Sequence, residues 1–523
     1  MKKIFISCFA LLSLLSCENY LDVNEDQQNR PGFDNITPAQ MFAGAVNGYV
    51  NLQTITYNDF GNKMAYAWGL NSGFTTTDPA YDYNFTSSSY TGNFESTALI
   101  ADNFQDILDK AALFPDYSYH FGAAKVFKVM CMDYATALYG DVPYSKAFNS
   151  TILAPSYDDD KAIIPQLFAE LDQARDYFNN PSANVIDFAS EDIVFGGDTA
   201  QWIQFINTIE LKMLMRLSKT TDASLVALRT SRFANLPLDF ISSDVAVNPG
   251  YNSSAVGQRT PIFRTYGLNE GFTDWTSSNR ANAAGDYIAK LLNGEVNGVN
   301  STATAVVDPR RTRLFTIPTG QTKIIGNVQG IFPSAAISRV AAFFHGYTGL
   351  SAADAVNNGC SRDAYLMLAS ESEFLQAEAM QRGYMSGSAQ AKFNDGIAAS
   401  FAFYSRNWGL LPAGWYTTLN PTTYIAAIDT KNGLGWTAST NKISAIMTQK
   451  YLALANWHGI ELHLDNLRTG FPVLPMPNGV SQTSRPFRLI YPSSEYSSNS
   501  SNVPNVTNAE LFTVNSKTPY YLQ

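Results

Sequence analysis

The sequence runs to 523 residues, 45% of them hydrophobic and only 15% charged, with a net charge of −10 and an aromatic load of 28 Tyr, 33 Phe and 7 Trp. An average chain carries roughly a quarter charged residues, so this one is globular and able to bury a large core. Its balance excludes nucleic acid as a partner, because no cluster of Lys and Arg supplies the field that phosphate binding needs, and its four cysteines cannot form a disulfide framework.

Residues 1–16 read as a lipoprotein signal peptide: Lys2 and Lys3, an apolar run from Ile4 to Leu15, then Ser16. Leu14, Leu15 and Ser16 give the branched and small positions of a lipobox, so Cys17 is expected to carry the lipid and become the mature N-terminus. The apolar run is shorter than the roughly 20 residues of a permanent span. Cleavage removes two positive charges and takes the net charge from −10 to −12. Residues 17–35 read as a membrane tether and 36–523 as one domain without a sharp internal boundary.

Helical periodicity follows. Ile100, Phe104, Ile107, Leu108 and Ala111 share one face, as do Phe127, Cys131, Tyr134 and Leu138. Further stripes run through Ile164, Leu167, Phe168, Leu171 and Phe178, through Trp202, Phe205, Ile206, Ile209, Met213 and Leu217, and through Ile443, Met447, Tyr451, Leu454 and Trp457. Trp202 and Cys131 fall on these stripes and read as core. Gly140 and Pro143 stop one helix, Asp198 caps the Trp202 helix behind Gly196 and Gly197, and Arg468 with Gly470 ends another. Between the helices lie stretches rich in Asn, Ser, Thr, Gly and Tyr, at 71–93, 247–282, 293–306, 320–359 and 481–508. Most exceed the roughly 15 residues of a plain connector.

No catalytic constellation stands out. His458 and His463 are five apart and off-face on a helix, and neither HExxH nor CxxC occurs among the residues. Glu371 and Glu378 share a helix face about 10 Å apart, near the spacing of an inverting glycosidase, but such a pair usually belongs to helix packing. Asp158, Asp159 and Asp160 lack the spaced ligands of a calcium loop and read as a charged helix start. The sequence therefore calls for no metal, no cofactor and no catalysis.

Three motifs carry a family resemblance: YGDVPYSKA from Tyr139, the run from Asp192 to Arg216 with Gly196, Gly197, Asp198, Trp202, Phe205 and Asn207, and LRTGFP from Leu467. Together with Glu371, Ala377, Glu378 and Ala379, with Gln449, Lys450 and Tyr451, and with Pro486, Arg488, Tyr491, Pro492 and Glu495, their order resembles the SusD/RagB family of outer-membrane nutrient-binding lipoproteins of the Bacteroidetes. Asp308, Pro309 and Arg310, after a long insertion, resemble its SusD-like branch. The resemblance implies a mainly α fold, in which four tetratricopeptide-like helix pairs carry long irregular loops with minor β. It also implies a lipid-anchored, surface-exposed protein of the outer membrane that acts as a lid on a SusC-like TonB-dependent transporter. Its ligand is expected to be a glycan; a peptide ligand is the alternative, with a surface glycoside hydrolase a remote one.

Ligand contacts are expected from aromatic and polar side chains outside the helical stripes, because sugar rings stack on aromatic faces while their hydroxyls meet amides, carboxylates and guanidinium groups. Trp68, Tyr81 and Tyr83 lie in or beside the 71–93 loop, and Asp274, Trp275 and Arg280 in the 247–282 loop. The next place to look is the 320–359 loop, with Phe343, Phe344 and Tyr347.

Overall fold

The computed structural model describes residues 33–75, 78–340, 359–406 and 418–523. The signal peptide, Cys17, most of the tether and Phe343, Phe344 and Tyr347 lie outside the described residues.

Helices carry the chain. Among the described residues, those of seven residues or more are α1 (Pro38–Asn51), α2 (Asn58–Met64), α3 (Gly92–Leu108), α4 (Ser118–Tyr139), α5 (Asp160–Asn179), α6 (Thr199–Arg216) and α7 (Ala223–Asn235). After the central loops come α8 (Asp286–Leu292), α9 (Ala369–Gln381), α10 (Ala389–Tyr404), α11 (Pro421–Ile428), α12 (Lys442–Leu454) and α13 (Gly459–Thr469). Local chemistry sets their ends. Thr37 and Gln40 form a capping box ahead of α1, and Asp159, Asp198, Asp222, Ser388, Asn420 and Asn441 cap later helices with a side-chain oxygen, each cap contributing about 1 kcal/mol. Gly140 and Gly470 stop α4 and α13 at φ of +73° and +75°, a backbone region that glycine enters without strain.

Consecutive helices pack on each other: α3 on α4, α4 on α5, α5 on α6, α9 on α10 and α12 on α13. This is the pairing of a tetratricopeptide-like scaffold. Two longer-range contacts close the molecule, α6 on α9 and α2 on α13. The second brings two backbones together at Gly61 and Gly459, where a Cβ on Gly61 would lie 2.0 Å from the Gly459 carbonyl carbon. Strands are short. β1 (Trp68–Leu70) pairs with β5 (Asn282–Ala284), β2 (Val142–Pro143) with β3 (Tyr157–Asp158), and β4 (Val245–Val247) with β6 (Ala364–Met367), all antiparallel.

Two hydrophobic clusters result. The first surrounds Trp202, whose ring stacks on Phe178 at 5.6 Å and meets Phe195 edge-on at 5.1 Å, while its indole N–H donates to Asp192 at 2.8 Å. Tyr520, Tyr521 and Leu522, near the end of the sequence, are buried in this same cluster. The second gathers Trp68, Phe263, Phe403 and Trp457. Helix α9 feeds both: Leu375 and Ala379 point into the first cluster, Phe374 and Ala377 into the second.

Buried charge marks this seam. Lys212 of α6 lies 3.5 Å from Glu371 and 3.4 Å from Glu461, and Arg216 lies 3.0 Å from Asp133 and 3.3 Å from Glu461. Arg468 of α13 grips Glu378 through two contacts of 2.5 and 2.7 Å and also meets Asp465 at 2.7 Å, which Lys450 meets in turn at 2.7 Å. Burial alone would push the Glu371 and Glu378 carboxyls up, but Lys212 and Arg468 respectively override it and hold both below the usual carboxylate range. Charges so far from water persist only when paired in this way.

Candidate functional site

The strand pair β1–β5 organises the loop-rich surface. Gly69 sits in β1 with the Asn327 side chain directly against it, a Cβ there meeting the Asn327 Cβ at 2.9 Å. The missing side chain lets Asn327 act as a clamp. Its Oδ1 accepts the Leu70 N–H at 3.1 Å, its Nδ2 donates to the Ile331 carbonyl at 2.9 Å, and its backbone N–H donates to Ala284 of β5 at 2.8 Å. The loop held by these bonds presents Ile331, 45% exposed, and Phe332, 55% exposed. Beneath them lies a cleft of about 190 Å³, lined also by Leu70, Asp78, Tyr81 and Asp82.

Tyr81 belongs to a short helix, Pro79–Asp82, started by Asp78, whose carboxylate accepts the Ala80 N–H at 3.0 Å and pairs with Lys63 at 3.0 Å. Tyr81 itself is nearly buried, though it lines the cleft. Tyr83 turns inward. It takes φ of +57°, accepts a hydrogen bond from Arg485 at 3.0 Å and stacks on Phe512 at 5.5 Å. Trp68 is wholly buried, its indole N–H donating to Asn456 Oδ1 at 2.6 Å and its ring meeting Tyr266 edge-on at 5.2 Å. A three-residue strand buried on both faces has no period that a sequence reading can use, and the rings of Trp68 and Tyr83 are spent on the core.

The second patch flanks the same strands. Asn71 ties β1 to it, its backbone and side-chain N–H groups donating to the Ala281 and Arg280 carbonyls at 2.9 and 2.8 Å. Asp274 accepts the Trp275 N–H at 2.7 Å and pairs with Arg280 at 2.9 Å, both side chains being 48% exposed. Trp275 is 8% exposed, and the Arg339 guanidinium lies 4.9 Å from its ring centroid. The structure thus brings Asp274, Trp275 and Arg280 together with Arg339, and places Tyr81 in the cleft beside Leu70 of β1. Arg339, Asn327, Ile331 and Phe332 were not singled out by the sequence, although Ile331-Phe332 is an apolar pair between Gly330 and Pro333 in a polar stretch. Such a surface can lay an apolar ligand face on Phe332 and meet hydroxyls or amides with Asp82, Asp274 and Arg280.

The remaining candidates have structural explanations. Glu371 and Glu378 have no exposed surface and sit in the ion pairs of the seam, out of reach of a substrate. Asp159 caps α5, and Asp158 accepts the Tyr144 and Ser145 N–H groups at 3.0 and 2.8 Å. Carboxylate oxygens of Asp141, Asp159 and Asp160 lie within 4.8 Å of one another. Each already accepts a backbone N–H, from Asp160, Lys161 and Tyr520 respectively. Cys131 and Cys360 are both buried and unpaired with each other. Among the described residues no helix is long and apolar enough to cross a membrane.

Residues 29–492 match the model of the SusD-like family, described as starch-binding and associating with the outer membrane. A solved SusD homologue from Bacteroides fragilis is similar over 93% of this chain and 98% of its own, with 21% identity and a TM-score of 0.68. A SusD/RagB family protein from Bacteroides thetaiotaomicron is similar over 89% and 95%, with 17% identity and a TM-score of 0.67. A chitin-binding protein gives 21% identity over 89% and 95%, with a TM-score of 0.64. Among curated proteins none matches the sequence.

Proposed function

The chain belongs to the SusD-like family of proteins that associate with the outer membrane, and from this premise we propose that it captures an extracellular oligosaccharide and hands it to a SusC-like TonB-dependent transporter. The observation that carries the reading is the exposed Phe332, on the loop that Asn327 clamps to β1, and the exposed Asp274–Arg280 pair, in the segment that Asn71 ties to the end of the same strand. A saccharide offers apolar ring faces and a dense set of hydroxyls, which this combination of ring, carboxylate and guanidinium complements. The chitin-binding protein among the structural relatives supports a saccharide over a peptide. Tyr81, Trp275 and Arg339 support the two patches from below.

In this reading Cys17 carries the acyl chains, each buried methylene contributing about 0.8 kcal/mol to anchoring, and the paired helices offer the transporter a lasting contact. Calorimetric titration with neutral oligosaccharides and with peptides tests the ligand. A saccharide that binds the native protein and loses at least about 1 kcal/mol on Phe332→Ala or Arg280→Ala, with unchanged melting, supports the site. Binding of peptides alone replaces the saccharide reading, and undiminished affinity in both variants removes the site. Mild-detergent purification from native cells is expected to bring a TonB-dependent transporter with the protein, and Cys17→Ala to release it from the membrane fraction. Recovery of the protein alone overturns the partnership.

A further inference from the structure

A larger cleft, of about 800 Å³, opens elsewhere, between α3 and the segment 142–155. Its floor is apolar, made by Phe94, Met132, Val142, Pro143 and Phe148. Its rim is not. Asp102, Asp106 and Asp109 follow one another along α3 and its last turn at spacings of four and three, which places them in one row along the cleft. Lys110 stands next to Asp106 as the one cation that lowers its carboxyl, while Glu495, engaged by the Tyr157 hydroxyl at 2.7 Å, adds a fourth carboxylate to the lining. Burial, and then the repulsion of their acidic neighbours, pushes the Asp102 and Asp106 carboxyls up, so the row is held against its own charge.

Apolar surface continues beyond the cleft. Leu99, on its wall, is 62% exposed, and Leu153, in the neighbouring segment, is 91% exposed. A cleft of this size falls in the range that encloses a bound group, and Leu99 on its wall and Leu153 in the adjoining segment add apolar surface that a docked molecule can cover. The carboxylate row decides which molecule. It repels phosphate and anionic lipid, and it demands cations spread over about 10 Å, the axial rise from Asp102 to Asp109. One small cation cannot satisfy that length, whereas a peptide segment can present Lys or Arg at matching intervals beside its apolar side chains.

We propose that this groove docks a basic amphipathic segment of a partner protein, whose Lys or Arg side chains meet Asp102, Asp106 and Asp109 while its apolar face covers Leu99, Phe148 and Leu153. Docking here is independent of the nutrient site, which has none of these residues in its lining.

The test uses the mature protein and a fluorescein-labelled, capped helical peptide with Lys at i, i+4 and i+7 flanked by Leu, read by fluorescence anisotropy. The native protein is expected to bind it with an affinity that falls as salt rises. The triple variant Asp102→Asn, Asp106→Asn, Asp109→Asn loses about tenfold or more in Kd, at unchanged melting temperature. A charge-matched variant at exposed positions elsewhere, Asp187→Asn, Asp239→Asn, Asp395→Asn, keeps the native affinity, and Leu99→Ser weakens it. Equal losses in the two triple variants reduce the effect to net charge and overturn the proposal. So does an absence of peptide binding to the native protein, or equal binding of a peptide with Gln in place of Lys.

Discussion

Glu378 and Arg468 test the buried seam most directly. Their side chains are 0% and 2% exposed, and they meet through two contacts of 2.5 and 2.7 Å. Glu378→Leu strands the guanidinium in the interior, although Asp465 at 2.7 Å and Ser218 at 2.7 Å retain part of its surroundings. Breaking a buried pair costs roughly 3–5 kcal/mol, and these surviving partners place the loss at the lower end, about 3 kcal/mol. Arg468→Met strands Glu378 with Arg382 alone, at 2.7 Å, and is expected to cost a similar amount. The double variant removes both charges and fills the space with carbon. It leaves Asp465 with Lys450 and is expected to lose only about 1–2 kcal/mol, since a hydrophobic replacement of a whole pair is often near neutral. The coupling between the two positions should therefore exceed about 2 kcal/mol in a double-mutant cycle, measured by urea unfolding followed through circular dichroism and tryptophan fluorescence. Single losses below about 1 kcal/mol, or effects that simply add, would refute the reasoning.

The imidazole of His463 is pushed down to about 3, first by burial and then by Arg485. The unfolded chain protonates near 6.5, so its stabilisation is full above that pH and drains as pH falls toward 3, on the order of 5 kcal/mol in all; His463→Phe, beside Phe60, should flatten this part of the acid-unfolding curve, and an unchanged slope would contradict the assignment. Burial pushes the Asp160 carboxyl the other way, up to about 7. The folded state then holds the proton more tightly, so this contribution is full below about pH 4 and lost as pH rises through 7; Asp160→Asn, whose amide oxygen can still accept the Tyr520 N–H, should hold its stability from pH 5 to 8 while the native protein declines. Gly61→Ala places a methyl group against the Gly459 backbone and is expected to cost more than about 2 kcal/mol, beyond the propensity gain of about 1 kcal/mol for alanine in a helix; a variant as stable as the native protein would show that α2 and α13 can separate.

Local signals were legible in the sequence wherever the physics is local. The stripes through Trp202, Phe127 and Phe168 lie buried as their period requires, Asp198 and Asp159 cap the helices they precede, and Gly140 and Gly470 stop theirs. Signals that depend on distant partners were not. Helix α9 is buried on nearly every side and carries two carboxylates whose cations come from α6 and α13, so its amphipathic pattern vanishes. Trp68 and Tyr83 sit beside a polar loop in sequence, yet their partners, Asn456 and Arg485, lie some four hundred positions along the chain. Asp274 and Arg280 stay at the surface because their own loop satisfies them. Phe332 escaped notice because a single exposed ring has no period at all; only the Asn327 clamp gives it a fixed place.

The burial of Tyr520, Tyr521 and Leu522 among residues contributed by α4 to α6 bears on how the molecule is made. The Tyr520 N–H and hydroxyl reach Asp160 at 2.7 Å and Asp133 at 3.3 Å, groups that leave the ribosome hundreds of residues earlier. The early helices can form before that segment is made, but their shared interior stays open to water until Tyr520, Tyr521 and Leu522 arrive to fill it. Completion of this cluster thus waits on the segment around position 520, and a chain halted shortly before it would present an unfilled apolar groove to the chaperones and proteases it meets.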